Sequence, residues 1–126
     1  MANTIVNSPN APAPIGPYSH AVLAGNTLYI SGQIALDAKS GNLINETIEA
    51  ETHTVMKNLQ AILETAGMGL SDVAKCTIFV KDLNNFAKIN EIYGSYFTQN
   101  PPARETVEVS RLPKDVNVEI SAIAIK

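Results

Sequence analysis

The chain has 126 residues, 45% hydrophobic and 17% charged, a size and balance that fit one domain with its own apolar core and exclude a disordered chain. Nine basic against 12 acidic residues leave a net charge of −3, and no basic run or basic–aromatic interleaving points to a nucleic-acid partner. No apolar run approaches the ~18 residues of a membrane span, Met1 to Val6 form neither a basic n-region nor an apolar h-region, and the lone Cys76 cannot close an intramolecular disulfide, so a cytoplasmic protein without a membrane partner is expected.

Residues 1–17 are expected to form an extended arm, because Pro9, Pro12, Pro14 and Pro17 crowd the stretch from Asn7 to Pro17 and prevent a helix. Ala21 to Ala24 and Thr27 to Ile30 flank Gly25-Asn26, the pattern of a β-hairpin. The second strand runs into Ser31-Gly32-Gln33, where glycine admits the close approach of a backbone or a ligand. Asp37 to Asn42 reads as a polar loop. Ile48, Val55, Met56, Leu59, Ile62, Leu63 and Ala66 recur at helical spacing, with Thr47 as N-cap and Gly67 as stop.

Val73 to Val80 is predicted as a strand with Ala74, Cys76, Ile78 and Val80 on one face. A second helix is predicted from Leu83 to Phe97. Its apolar stripe is Phe86, Ile89, Tyr93 and Phe97, with the amide of Asn90 set among them, and Asn100-Pro101-Pro102 ends it. Glu105 to Val109 and Val116 to Ile125 are the last two strands, separated by a turn at Leu112-Pro113-Lys114-Asp115. The order β-β-α-β-α-β-β describes a single α+β domain over residues 1–126, with two helices on one face of a mixed sheet. In the last strand Val116, Val118, Ile120, Ala122 and Ala124 share a face, yet Ile123 and Ile125 lie on the other. Helices on one side only would leave those isoleucines in water, so another subunit is expected to cover the second face.

Glycine-rich phosphate loops, a Gly-x-Ser-x-Gly elbow and His-Glu-x-x-His are all absent, as is any Cys/His cluster at zinc spacing. Of the two histidines, His20 and His53, the second reads as a solvated residue on the polar side of the first helix. Cys76 reads as a buried structural thiol. The unusual residues are in the last quarter. Glu119 interrupts an apolar alternation, and is either a solvent-facing strand residue or a carboxylate kept for acid–base work. Arg104, at the mouth of a strand, is either a surface cation or an anion grip.

The stretch Pro102-Ala103-Arg104-Glu105-Thr106-Val107-Glu108-Val109, continued by Leu112-Pro113 and Val118-Glu119-Ile120, closely resembles the C-terminal signature of the RidA/YjgF family. Ala13 to Ala21 resembles the family's N-terminal arm, Ile30-Ser31-Gly32-Gln33 its second motif, and Gln60 to Gly67 and Val80 to Phe86 its middle, so the likeness covers the whole chain. This resemblance implies a chorismate-mutase-like α+β fold, a homotrimer with its pockets at the subunit interfaces, and hydrolytic deamination of 2-imino acids such as 2-iminopropanoate and 2-iminobutanoate. The products are a 2-keto acid and ammonia, and no metal or organic cofactor is implied. Carried over residue by residue, Arg104 is the carboxylate-binding arginine and Glu119 the group that orients or deprotonates the attacking water. Tyr18, Ser31, Gly32, Asn90 and Thr106 match substrate-binding positions, Asn90 having also the plainer reading of a buried amide that ties down a loop.

Thr106 stands where many members carry cysteine, which excludes a thiol nucleophile there, and His20 stands where glutamine is common. Two other functions remain open at this point: a non-catalytic trimer that holds 2-keto acids as a regulatory module, and the ribonuclease or translation-inhibitor role ascribed to some relatives. The acidic net charge weighs against the latter.

Overall fold

In the computed structural model, which describes residues 3–126, the alternation of the last strand organises the whole sheet. Val118, Ile120, Ala122 and Ala124 are buried along one face of Val118–Ile125 (β6). This strand lies between Thr27–Gln33 (β3) and Val73–Val80 (β4), antiparallel to both. β3 turns back on Ala21–Ala24 (β2) through Gly25, whose φ of 61° is the left-handed conformation that costs glycine nothing. At the far edge Ala103–Glu108 (β5) runs parallel to β4, a pairing that requires a crossover. The helix Phe86–Tyr96 (α2) supplies it.

The α+β fold, the hairpin and both helices are as the sequence implies, with one strand more than expected. Thr4–Val6 (β1) pairs antiparallel with β2, so the sheet has six strands in the order β1-β2-β3-β6-β4-β5 and the chain order is β-β-β-α-β-α-β-β. Three residues carry too little alternation to declare a strand; the free backbone edge of β2 recruits them. Only the part of the expected arm after Val6 is irregular, and Met1 and Ala2 lie outside the described residues.

Helix Ile48–Thr65 (α1) begins where Thr47 accepts the N–H of Ala50 and is followed by Gly67 at φ 74°. The second helix begins at Phe86, where its apolar stripe begins, and not at the expected Leu83. Leu83–Asn85 form a 3₁₀ turn first, with Asp82 accepting the N–H of Asn84, a local bond that competes with the α conformation. The last strand likewise starts at Val118 rather than Val116, because Pro113–Asp115 form a single turn. In β4 a register shift between Val73 and Lys75 turns Val73 inward and leaves Ala74 exposed, against the simple alternation. His53 is not simply solvated: its Nδ1 lies 2.8 Å from the hydroxyl of Tyr96, joining α1 to α2.

Both helices cover one face of the sheet, burying Met56, Leu59, Ile62 and Leu63 against Ile78 and Ile120. The opposite face carries Tyr29, 51% exposed, and Ile125, 50% exposed, with Ile123 paired to Tyr29 and Phe79 to Val107. Among the described residues no helix is long and apolar enough to cross a membrane.

Candidate active site

Arg104 is in register with Cys76 in the parallel pair β4–β5, which directs its side chain to the helix side of the sheet, under α2. There Phe86, Asn90 and Tyr93, spaced four and three residues apart, form one helical face. The guanidinium carbon lies 5.6 Å from the centre of the Phe86 ring and 5.1 Å from that of Tyr93, and Nη1 donates to Asn90 Oδ1 at 2.5 Å. Two ring faces and one amide fix the plane of the fork while leaving most of its five N–H donors for another acceptor. Asn90 therefore grips the arginine; it does not tie down a loop.

Thr106 follows on the same face of β5, opposite Ile78, and its buried hydroxyl finds no partner among the described residues. The Tyr93 hydroxyl is also buried without a well-formed hydrogen bond, and burial pushes its pKa far up. Burial likewise pushes the Cys76 thiol up, outweighing the contact with the Tyr93 hydroxyl and the charge of Arg104, which pull it down.

Glu119 sits between the buried Val118 and Ile120 and so turns to the opposite face, beside Phe79. The start of its strand is fixed by Glu51, buried in the first turn of α1, whose carboxylate accepts the N–H groups of Asn117 and Val118 and the Asn117 side-chain amide. Across from Glu119 the β3–β6 register shifts between Ile30 and Gln33, and the backbone at Ser31-Gly32 closes over the carboxylate. A Cβ on Gly32 would stand 2.9 Å from Cδ and 3.1 Å from Cγ of Glu119.

Ser31 Oγ donates to the Ser19 carbonyl at 2.7 Å, and the Tyr18 hydroxyl accepts the Ile15 N–H at 3.2 Å. With Ile15, Ile34 and Pro113, the residues Tyr18, Ser31, Gly32 and Glu119 line a cavity of about 310 Å³. Burial alone holds the Glu119 carboxyl above the ordinary value, and among the described residues nothing hydrogen-bonds to it. A desolvated carboxylate of this kind is a stronger base than one in water.

Gly32→Ala tests that closeness. The side chain of Glu119 must swing aside, so the fold is expected to hold, with Tm within ~3 °C, while any activity that uses this carboxylate falls at least tenfold in kcat. Unchanged activity in the folded variant would show that the Glu119 position is unimportant.

One chain thus divides the expected site residues between two places. Tyr18, Ser31, Gly32 and Glu119 share the cavity; Arg104, Asn90 and Thr106 lie on the other side of the sheet. Sequence reasoning missed Ile15, Ile34 and Pro113 as cavity walls, and took Phe86 and Tyr93 for core residues alone. The signal for the aromatic pair was their phase with Asn90, the one amide on that stripe. Among the described residues no group of three His, Cys, Asp or Glu side chains is placed to hold a metal ion.

Residues 8–126 match the profile of the family described as Endoribonuclease L-PSP. The chain belongs to this family. It is the RidA/YjgF family that the motifs resemble, and other members align over nearly the full length. A RutC family protein of Pyrococcus horikoshii is 54% identical over 122 residues, 97% of each chain. A Salmonella typhimurium protein named 2-iminobutanoate/2-iminopropanoate deaminase is 46% identical over 129 residues, covering 100% of this chain and 99% of that one. Among solved family structures, Escherichia coli TdcF with bound serine has a TM-score of 0.94 and 38% identity over 98% of each chain.

Proposed function

We propose that this RidA/YjgF-family chain is a hydrolytic deaminase of 2-imino acids, acting as a homotrimer whose sites combine Arg104 of one subunit with Glu119 of the next. The observation that carries this reading is the division of complementary groups. A planar cation with free donors lies on one face of the sheet, and an unpartnered, desolvated carboxylate in a cavity lies on the other. Neither half is useful alone, and a second copy packed on the uncovered sheet face would hide Tyr29, Ile125 and Val107 while joining the halves. The deaminase name of the Salmonella relative and the amino acid bound to TdcF agree with a small carboxylate ligand.

In this mechanism Arg104 takes the substrate carboxylate in a bidentate grip, steadied by Asn90, Phe86 and Tyr93, and Thr106 borders that grip. The imine carbon, already electrophilic, is thereby presented to the Glu119 cavity, where Tyr18 and the Ser31-Gly32 backbone confine it. Glu119 takes a proton from water as the oxygen attacks that carbon, giving a carbinolamine. Glu119 hands that proton to nitrogen, completing the amino group, then takes the hydroxyl proton and passes it to the same nitrogen as the C–N bond breaks, so ammonia leaves, the carbonyl forms and Glu119 is again a carboxylate. The sum is imino acid plus water to 2-keto acid plus ammonia. A module that merely holds 2-keto acids would need the arginine but not the desolvated glutamate. RNA cleavage has little support: of the two arginines, Arg104 is turned into the aromatic slot and Arg111 is paired with Asp115.

The test is to generate 2-iminobutanoate in situ and time the release of 2-ketobutyrate, with light scattering run on the same preparation. Acceleration by a species of three times the chain mass is the expected result. A folded trimer that leaves the spontaneous rate unchanged would overturn the enzyme in favour of the binding module, and an active monomer would overturn the shared site.

A further inference from the structure

Between Asn7 and Ser19 the chain forms neither strand nor helix, yet this segment brings Ile15 and Tyr18 to the cavity over Glu119. One buried side chain holds it there. His20 is 2% exposed; its Nδ1 lies 2.9 Å from the Ser8 backbone nitrogen and its Nε2 2.6 Å from the Pro12 carbonyl oxygen. A peptide N–H can only donate and a carbonyl can only accept. The ring must therefore be neutral with its proton on Nε2, a tautomer dictated by two backbone groups.

The backbone of the same residue completes the tie. Its N–H donates to Asn7 Oδ1 at 3.0 Å, and its carbonyl accepts the N–H of Ser31 at 2.9 Å, beside Gly32. Ser8 in turn contacts α1, accepting from the Thr65 hydroxyl at 2.8 Å. The start and middle of the arm are thus fastened through one imidazole to the strand that covers Glu119.

We infer that His20 is a positioning residue: its ring docks the arm so that Ile15 and Tyr18 form the wall of the cavity, and it acts on the ligand only through them. The inference rests on the proposed reading of that cavity as the 2-imino acid site. Loosening the arm lowers the fraction of molecules ready to bind, so it weakens affinity and leaves the chemical step nearly intact once ligand is held.

The variants His20→Leu and His20→Gln separate docking from packing. Leucine fills the space without polar atoms, whereas the glutamine amide offers one acceptor and one donor much as the two ring nitrogens do. The readouts are 2-ketobutyrate affinity by calorimetry, KM and kcat for 2-iminobutanoate, and amide exchange over residues 8–19. His20→Leu is expected to weaken 2-ketobutyrate binding and raise KM about tenfold with kcat within about twofold, while exposing the Ser8 amide to exchange. His20→Gln should remain within about threefold of wild type on every measure.

Asn7→Ala, an exposed change that removes one tie and spares the ring, should weaken binding about threefold and carries the test if the leucine variant does not fold. A leucine variant that binds like wild type with its Ser8 amide still protected overturns the inference. So does a glutamine variant as impaired as the leucine one. If wild type fails to hydrolyse imines while exchange over residues 8–19 still follows the leucine-to-glutamine order, the reaction is wrong and the docking role stands.

Discussion

Arg104→Ala is expected to lower kcat/KM for 2-iminobutanoate by about 10²–10³, since two charge-assisted bonds worth roughly 1.5–3 kcal/mol each are removed and part of the loss is made good by water. Arg104→Lys should recover little of it, because an ammonium cannot span both carboxylate oxygens or stack between Phe86 and Tyr93. The more searching experiment mixes two dead proteins. Arg104→Ala copies keep Glu119, and Glu119→Ala copies keep Arg104. In a random mixture three-quarters of trimers contain both kinds, and each such trimer has one intact pairing among its three interfaces, so about a quarter of wild-type activity should return. A mixture as inactive as its components after co-refolding would end the account in which Arg104 of one subunit pairs with Glu119 of the next.

Glu119→Gln is expected to lower kcat by about 10²–10⁴ while 2-ketobutyrate binding stays near wild type, the pattern of a lost proton carrier and not of a lost grip. The pH dependence follows from burial. Glu119 must be ionised to accept the proton of water, so activity falls as pH drops through its pKa. Because burial raises that pKa, the acid limb should lie above the ~4.3 of a free glutamate. In the glutamine variant the limb should disappear with the activity. A limb at the ordinary glutamate value, or one that survives the substitution, would assign the base elsewhere.

How much of this could be read from the chain is uneven, and the reasons are physical. The helix α1 was legible to within a residue because periodicity, the Thr47 cap and Gly67 all agree. β1 was not, since an edge strand of three residues is specified by its neighbour's open hydrogen bonds and not by its own side chains. Among the candidate site residues, the motifs singled out Arg104, Asn90, Glu119 and Gly32; alternation already places Glu119 on a strand, whereas Arg104, expected at the mouth of one, proves to lie within Ala103–Glu108. Their separation onto opposite faces depends on the register of β4 against both β5 and β6, a long-range fact that no local pattern contains. The aromatic slot around Arg104 was hidden for another reason. Phe86 and Tyr93 satisfy the rule for core residues, and only the position of the parallel edge strand gives them a cation to face.

The turn that ends at Asp115 gives the cavity a mechanical character. Lys114 and Asp115 both adopt left-handed backbone conformations, with φ of 56° and 55°, and neither is glycine. Such conformations cost roughly 1–2 kcal/mol per residue and persist where neighbours over-determine them. Here Arg111 clasps Asp115 through two bonds, at 2.6 and 3.2 Å, and Leu112 and Val116 anchor the ends in a small apolar cluster. Pro113, in this turn, forms one part of the cavity wall, and Ile15 and Tyr18 of the proline-rich arm, held by His20, form another. The cavity is therefore bounded by two short segments outside the sheet, each held by its own tie: the turn by Arg111 and Asp115, the arm by His20. Ligand bulk is thus limited from both segments, and a wider cavity requires that one of these ties be broken.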